Sequence, residues 1–276
     1  MAPLLNAAIA YDFDGTLIPG NMQDYAFFPS LDLETPQKDF WPRVKAIAKK
    51  YDMDEILAYM HLMLKEAAYR DISLRRQQFA ECGRAISFFP GVEKWFGRIN
   101  AYALSRNIAL KHYIISSGLR EMIAGTAIFK HFAYVYASGY MYNQDDVAIW
   151  PALAVNYTNK TQYIFRINKG IENSWDNHAV NRFIDEADRP VPKSNIIYLG
   201  DGETDIPAMK MVDYLGGHSV TVYNEEDYKA KIASEHLVKQ GRAQYSASAD
   251  YSNNSSLDSL MKNLINKIAA AKEQQS

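Results

Sequence analysis

Short apolar runs alternate with amphipathic stretches along most of this chain. Ala7 to Tyr11 is an apolar run that stops at Asp12, the pattern of a buried parallel strand opening into a polar loop. After Gly20 the period lengthens. Trp41 to Tyr51, Asp54 to Tyr69 and Leu74 to Ile86 each place apolar residues at helical spacing. Ile56, Tyr59, Met60, Met63, Leu64 and Ala67 form one such stripe, read as core packing, and Ser73 is placed to cap the helix from Leu74. Phe88-Phe89-Pro90-Gly91 is a turn signal that closes this helical block.

Beyond the turn, strand and helix patterns alternate. The spacing predicts a helix over Val92 to Ser105, a strand over Ala109 to Ile115 and a helix over Leu119 to Ile128. Strands over Tyr134 to Tyr142 and Val147 to Val155 flank a turn cluster, Asn143 to Asp146. Then follow a helix over Lys160 to Ile167, a polar insertion from Asn173 to Lys193 with a helix near His178 to Ala187, and a strand over Asn195 to Leu199. A helix over Asp205 to Met211 and a strand over Ser219 to Tyr223 lead to a polar, Ser-rich loop from Gln240 to Ser256. Leu257 to Ala271 reads as a last amphipathic helix, with a frayed tail from Lys272 to Ser276. This order predicts an α/β fold, a doubly wound parallel sheet with helices on both faces. The core takes residues 1–20 and 89–276, and a small helical cap of residues 21–88 is inserted in it.

Composition narrows the function. The formal net charge is −2 and the Lys and Arg residues form no long run, so neither nucleic acid nor an anionic membrane is expected as a partner. The single cysteine, Cys82, excludes an intrachain disulfide and agrees with a reducing compartment. No apolar run reaches the ~20 residues of a membrane span, and the first ten residues lack the basic and apolar regions of a secretory leader. A soluble, cytoplasmic protein is the expectation. The 19 Tyr, 12 Phe and 4 Trp are read as packing rather than base stacking.

Four places carry candidate chemistry. Asp12-Phe13-Asp14-Gly15-Thr16 follows the first strand, so two carboxylates two residues apart share one loop, and Gly15 lets the backbone approach a ligand. Gly200-Asp201-Gly202-Glu203-Thr204-Asp205 follows another apolar strand and offers Asp201 to a hard cation. Either alone also fits an ordinary acidic turn; their placement at the ends of two predicted parallel strands is what strengthens both. Ser116 ends a third strand, where a hydroxyl and neighbouring amides suit a phosphate oxygen, or a simple helix cap. Lys160 could offset phosphoryl charge, or be a surface lysine.

In this order the four places resemble the haloacid dehalogenase superfamily of phosphohydrolases. The helical insert before Pro90-Gly91-Val92, and the strand pair between Ser116 and Lys160, look most like its phosphoserine-phosphatase-like branch. The resemblance implies a Rossmann-like core and a magnesium-dependent phosphatase acting on a small phosphorylated metabolite through an aspartyl-phosphate. Asp12 would be the nucleophile and Asp14 the general acid and base. Mg2+ would be held by the Asp12 carboxylate, the Asp14 carbonyl and the Asp201 carboxylate, with Asp205 supporting the site. Ser116 and Lys160 would bind the phosphoryl group, Lys169 being a weaker candidate for that lysine. Two positions depart from the pattern. Thr204 stands where many relatives carry Asn, and Asn21 stands where phosphoserine phosphatases carry a glutamate for the substrate ammonium, which argues against phosphoserine although Asp24 lies close by. A phosphomutase shares all four places. A non-catalytic phosphate-binding protein would not need the complete acidic set, a haloalkanoate dehalogenase would not need Asp14 or a metal, and a phosphoacceptor domain would lack the helical insert. The oligomeric state is left open by the sequence.

Overall fold

The computed structural model describes residues 4–32 and 36–273. The chain opens with β1 (Leu5–Tyr11), then α1 (Met22–Tyr25), α2 (Phe27–Ser30), α3 (Pro36–Asp39), α4 (Trp41–Tyr51), α5 (Glu55–Tyr69) and α6 (Arg76–Arg84). There follow α7 (Val92–Leu104), β2 (Ile108–Leu119), α8 (Arg120–Ala124), β3 (Tyr134–Tyr142), β4 (Ala148–Leu153), α9 (Lys160–Lys169) and α10 (Asn177–Asn181). The last elements are β5 (Ile196–Gly200), α11 (Ile206–Tyr214), β6 (His218–Tyr223), α12 (Tyr228–Lys239), β7 (Tyr245–Ser248) and α13 (Ser256–Glu273).

The strands form one seven-stranded sheet in the order β4-β3-β2-β1-β5-β6-β7. Every pairing is parallel except that of β3 with β4. β1 is central and buried on both faces. Its Ala7, Ile9 and Tyr11 enter one apolar layer, and Ala8 and Ala10 enter the other. β5 alternates likewise, with Ile197 and Leu199 on the first side and Ile196 and Tyr198 on the second. α7, α8 and α13 supply the first layer, and α9 and α11 the second. The chain leaves β1 for β2 on one side and later returns to β5 on the other. The resulting crevice at the carboxyl ends of β1 and β5 is where open sheets of this type bind ligands.

The helical block from α1 to α6 is continuous with the first apolar layer: Phe28, Phe40, Met60, Met63 and Phe79 share one cluster with Ile114 and Leu199. Polar backbone also ties it to the β3–β4 hairpin. Arg75 bridges to Val147, and the Ala148 N–H donates to the Leu74 carbonyl at 2.8 Å. Phe79 stacks on Tyr140 at 5.5 Å between centroids, and the Tyr140 hydroxyl donates to the Met60 carbonyl. α6 and α8 cross so closely that a Cβ on Gly83 would stand 1.9 Å from the Met122 carbonyl oxygen, and one on Gly125 would stand 1.9 Å from that of Ala80.

Several expectations need correction. Ser73 does not cap α6, which begins at Arg76; Gln78 turns back to accept from the Arg75 N–H, because Leu74 and Arg75 are engaged by the hairpin. The helix expected over Leu119 to Ile128 ends at Ala124, since β2 runs on to Leu119 and Gly125 is needed for the contact with α6. The helix near His178 to Ala187 is α10 plus a 3-10 turn at Glu186–Asp188. The Ser-rich stretch from Gln240 to Ser256 contains β7, and α12 precedes it. The last residues of the expected frayed tail, 274–276, lie outside the described residues; 272 and 273 continue α13.

The α6–α8 crossing yields a first prediction. Gly83→Ala should destabilise by about 1–3 kcal/mol through overpacking against backbone. Gly97→Ala, in α7 with open space around the added methyl, should be neutral or stabilise by up to about 1 kcal/mol through helix propensity. Urea unfolding of both variants checks the pair; equal effects would overturn it.

Candidate active site

Asp12 begins where β1 ends. Its N–H donates to the Leu199 carbonyl of β5 at 2.8 Å, so the sheet ladder fixes the backbone, and its Oδ1 accepts from the Phe13 N–H at 2.7 Å. The following loop folds around the Phe13 carbonyl, which accepts from the Leu17 N–H at 2.9 Å. Gly15 has φ +70°, in the left-handed region, and any Cβ there would stand 2.1 Å from Asp201 Oδ2. Bare backbone at this position is what lets the two acidic loops meet.

Asp14 is tied to the first residue of α1: its Oδ1 accepts from the Met22 N–H at 3.0 Å. The same methionine touches the third strand end. The Leu119 N–H lies 3.1 Å from Met22 Sδ, and a side chain on Gly118 would collide with Met22 Cε. Ser116 is buried beside this contact, with its Oγ accepting from the Gly118 N–H at 3.0 Å.

Lys160, the first residue of α9, is wholly buried. Its Nζ lies 3.0 Å from Asp12 Oδ2 and 2.6 Å from Asp205 Oδ1. The preceding loop is locked by a reciprocal pair: the Asn156 N–H donates to Asn159 Oδ1 and the Asn159 N–H to Asn156 Oδ1, both at 2.9 Å. Asn156 also donates to Asp54 Oδ2 at 2.7 Å, which ties the lysine loop to the start of α5. Lys169 is directed elsewhere, donating to the carbonyls of Val180 and Arg182.

Asp205 is fully engaged. Besides Lys160, its Oδ1 accepts from the Tyr198 hydroxyl at 2.6 Å and its Oδ2 from the Asp201 N–H at 3.2 Å. Tyr198 gave no sign of this in the sequence, because it sits inside the apolar run of β5. Asp201 opens to the cleft. One carboxylate oxygen each from Asp12, Asp201 and Asp205 can be chosen within 4.8 Å of one another.

The electrostatics follow from one lysine serving three acids. Burial and then Asp205 raise the Asp12 carboxyl to about 7, against the lowering pull of Lys160 and the Phe13 N–H. The surrounding protein, then Asp205 and Asp12, raise Asp201 well above the usual carboxylate range. Burial and then Asp12 do the same to Asp14, while the Met22 N–H and Lys160 oppose. Burial works against charge on Lys160, but Asp12 and Asp205 outweigh it and hold the ammonium protonated. Ligation of a cation requires carboxylates in their ionised form, and three of them against one ammonium would leave two unmatched negative charges, the charge of a divalent cation. The donors are all oxygen, as a hard cation prefers.

Above the carboxylates lies a cavity of about 430 Å³. Its floor is Asp12, Asp14, Ser116 and Asp201, and its walls include Gln23, Trp41, Tyr59 and Tyr157. Thus Asp12, Asp14, Ser116, Lys160, Asp201 and Asp205, drawn from four separated segments, converge on one place at the carboxyl end of the sheet. Of the cavity walls from the helical block, Ile56 and Tyr59 belong to the stripe read from the sequence as core packing, and Gln23 and Trp41 had no individual signal there.

Comparisons with known proteins bear on the family and the fold. The family described as haloacid dehalogenase-like hydrolase matches residues 9–210. An uncharacterized protein of Borreliella burgdorferi is 28% identical over 253 residues, covering 81% of this chain and 85% of that one. Among solved structures, a haloacid dehalogenase family hydrolase of Salmonella enterica serovar Typhi superposes with a TM-score of 0.59 at 16% identity, over 94% of this chain and 71% of the other. A probable phosphoserine phosphatase of Vibrio cholerae gives 0.59 at 12% identity, over 98% and 68%. A phosphoserine phosphatase captured as a phospho-aspartyl intermediate analogue gives 0.53 at 14%, over 88% and 93%. These structures share the fold, and the family match spans both acidic loops and the lysine between them: the chain belongs to the haloacid dehalogenase-like hydrolases.

Proposed function

We propose that this protein hydrolyses a small phosphate monoester with the help of Mg2+, using Asp12 as nucleophile. The observation that carries this reading is the position of Asp12, paired to buried Lys160 on one side and open to the cavity floor beside Asp14 and Asp201. The all-oxygen donor set, the two unmatched charges and the close approach at Gly15 fit a divalent ion held by the Asp12 and Asp201 carboxylates and the Asp14 carbonyl. When bound, Mg2+ supplies positive charge next to the phosphoryl oxygens.

The remaining work falls to the chain. Lys160 and the Phe13 N–H favour the ionised form of Asp12, which attacks phosphorus. The ester P–O bond breaks as the aspartyl-phosphate forms. Asp14, whose raised carboxyl retains a proton, gives it to the departing alcohol oxygen. The resulting Asp14 carboxylate takes a proton from water, the water oxygen attacks phosphorus, and the bond to Asp12 breaks to release phosphate. Ser116 Oγ and Lys160 Nζ hold phosphoryl oxygens. Asp205 and Tyr198 position the lysine, and the helical block covers the cavity and excludes water.

Three outcomes test this reading. Release of nitrophenol from an aryl phosphate should stop with chelator and resume with magnesium, with calcium a poor substitute because of its looser coordination; full turnover in metal-free buffer would overturn the metal requirement.

Asp12→Asn should lower turnover by roughly a thousandfold or more and form no phosphoenzyme. Asp14→Asn should slow turnover by roughly a hundredfold or more while accumulating phosphate on the peptide that contains Asp12. Mass spectrometry of quenched samples separates the two roles, and phosphate on the Asp12→Asn protein would refute the assignment.

The third outcome concerns pH. Asp12 and Asp201 have folded-state pKa values above the ordinary 3.8. The folded state therefore keeps protons that the unfolded chain has released, and stability is lost as pH rises from about 4 through about 7. Removing one acid should relieve this. Metal-free Asp201→Asn should melt above metal-free wild type by about 2–4 °C at pH 8, with a smaller gap at pH 5. Calorimetry at both pH values would show the trend, and a gap that shrinks with rising pH would contradict it.

A further inference from the structure

We infer that Asp54, in the helical block, is a positioning residue for the phosphoryl-binding lysine and acts on Lys160 through Asn156, an inference that rests on the phosphatase reading above. Two segments far apart in the chain meet beside the cavity. Asp54 stands just before α5, and Asn156 stands in the loop that leads into α9. Two side-chain bonds join them. Asn156 Nδ2 donates to Asp54 Oδ2 at 2.7 Å, and the Tyr157 hydroxyl donates to Glu55 Oε2 at 3.1 Å. Ile56 and Tyr157, one from each segment, both line the cavity, so the junction lies at the edge of the site.

Each partner in this junction has one possible role. Asn156 Oδ1 receives the Asn159 N–H at 2.9 Å, a group that can only donate, and Asn156 Nδ2 meets a carboxylate oxygen, which when ionised can only accept. Turning the amide over would break both bonds. Asp54 is equally committed. Its Oδ1 accepts from the Ile56 N–H at 2.9 Å and the Leu57 N–H at 3.1 Å, which leaves Oδ2 for Asn156. Ile56, Tyr59, Met60 and Met63 seat α5 in the apolar core, so Asp54 is the fixed end of the chain of bonds. From Asp54 the bonds run through the Asn156 amide to the Asn159 N–H, and the next residue is Lys160. Asn159 returns two bonds, accepting from the Asn156 N–H and donating to the Ala154 carbonyl, both at 2.9 Å.

Packing alone leaves this turn weakly placed. Lys160 is the first residue of α9, and the apolar residues that seat the helix, Tyr163, Ile164 and Ile167, come later along it. Tyr157 and Thr158, between Asn156 and Asn159, are exposed. The entry to the helix is therefore set by side-chain hydrogen bonds, and Asp54 is the anchor they end on. The lysine has little tolerance for a shift. Its Nζ is already held by Asp12 at 3.0 Å and Asp205 at 2.6 Å, and it has to keep a proton directed at the phosphoryl oxygens as well. A misplacement of about 1 Å in such a geometry costs up to about a hundredfold in rate.

The test is a reciprocal exchange on the full-length protein with magnesium, read by aryl phosphate turnover and by competitive inhibition with inorganic phosphate. Asp54→Asn can satisfy the helix N–H groups or Asn156, but not both. Asn156→Asp sets two carboxylate oxygens against each other. The double variant restores every bond with donor and acceptor exchanged, since the amide at position 54 caps α5 with its oxygen and donates to the carboxylate at position 156. Each single variant should lower kcat/KM for aryl phosphate about tenfold and raise the inhibition constant of phosphate about tenfold. The double variant should return both to within about threefold of wild type. Asp54→Ser keeps a helix cap but is too short to reach Asn156, so it should match Asp54→Asn; with the double variant it decides the question if a single variant fails to fold. An inhibition constant does not depend on the fraction of molecules folded, so a purely structural role would lower turnover and melting temperature and leave that constant unmoved. That result overturns this inference alone, as do variants at position 54 that equal wild type or a double variant no better than the singles. A wild-type protein that does not hydrolyse aryl phosphate overturns the phosphatase reading and this inference with it.

Discussion

Everything in the site depends on a buried ammonium shared by two carboxylates. Lys160 has no contact with water and is held by Asp12 and Asp205 at 3.0 and 2.6 Å. Its location at the first position of α9 is unfavourable for a cation, since the amino end of a helix carries partial positive charge worth about 0.3–1 kcal/mol. Loss of one member of a buried ion pair costs about 3–5 kcal/mol, so the carboxylates win. The helix is thereby anchored to the ends of β1 and β5. Asn156 and Asn159 complete the anchor by fixing the turn into α9 through their side chains rather than through apolar packing.

The helical block is part of the same construction. Met22 donates its N–H to Asp14 and sets its sulfur against the Ser116 strand end, so the first turn of the block shapes two of the acidic site's neighbours. Asp54 caps α5 through the Ile56 and Leu57 N–H groups with one carboxylate oxygen and receives Asn156 with the other. At the far side, Leu74 and Arg75 join the β3–β4 hairpin through backbone bonds. Contacts at both ends mean that movement of this block would be felt at Asp14 and at the lysine loop together, coupling cover and chemistry in one rigid network.

Much of this was legible because each acidic group ends a buried strand. An apolar run that stops at Asp12 or Gly200 can be read locally, and the order of strands then brings the runs side by side. What escaped had a physical cause in each case. β7, Tyr245–Ser248, is a short edge strand of small and hydroxylated residues, so it carries no apolar run. α12 buries only Ser234 and Leu237, too little for a visible stripe. α8 stops early because Gly125 meets α6, a tertiary contact that helix propensity does not report. Tyr198 looks like any other core aromatic in sequence, and only the fold shows that its hydroxyl is directed at Asp205. Lys160 was distinguishable from a surface lysine only by its order in the chain.

The chain thus gathers like charges where a folding argument alone would disperse them. Three carboxylates face one ammonium, and burial raises the cost of leaving them ionised. The sheet tolerates this because the strand ladders and the Gly15 approach hold the loops in place regardless of the repulsion between them. Nothing in the packing of β5 requires Asp201, which makes no ion pair with Lys160, to be acidic; an amide side chain there would serve the fold at lower electrostatic cost. The arrangement is explained by what it can attract. On the phosphatase reading proposed above, a divalent cation and a phosphoryl group would bring opposite charges to the same few ångströms, and each would make the other's binding easier.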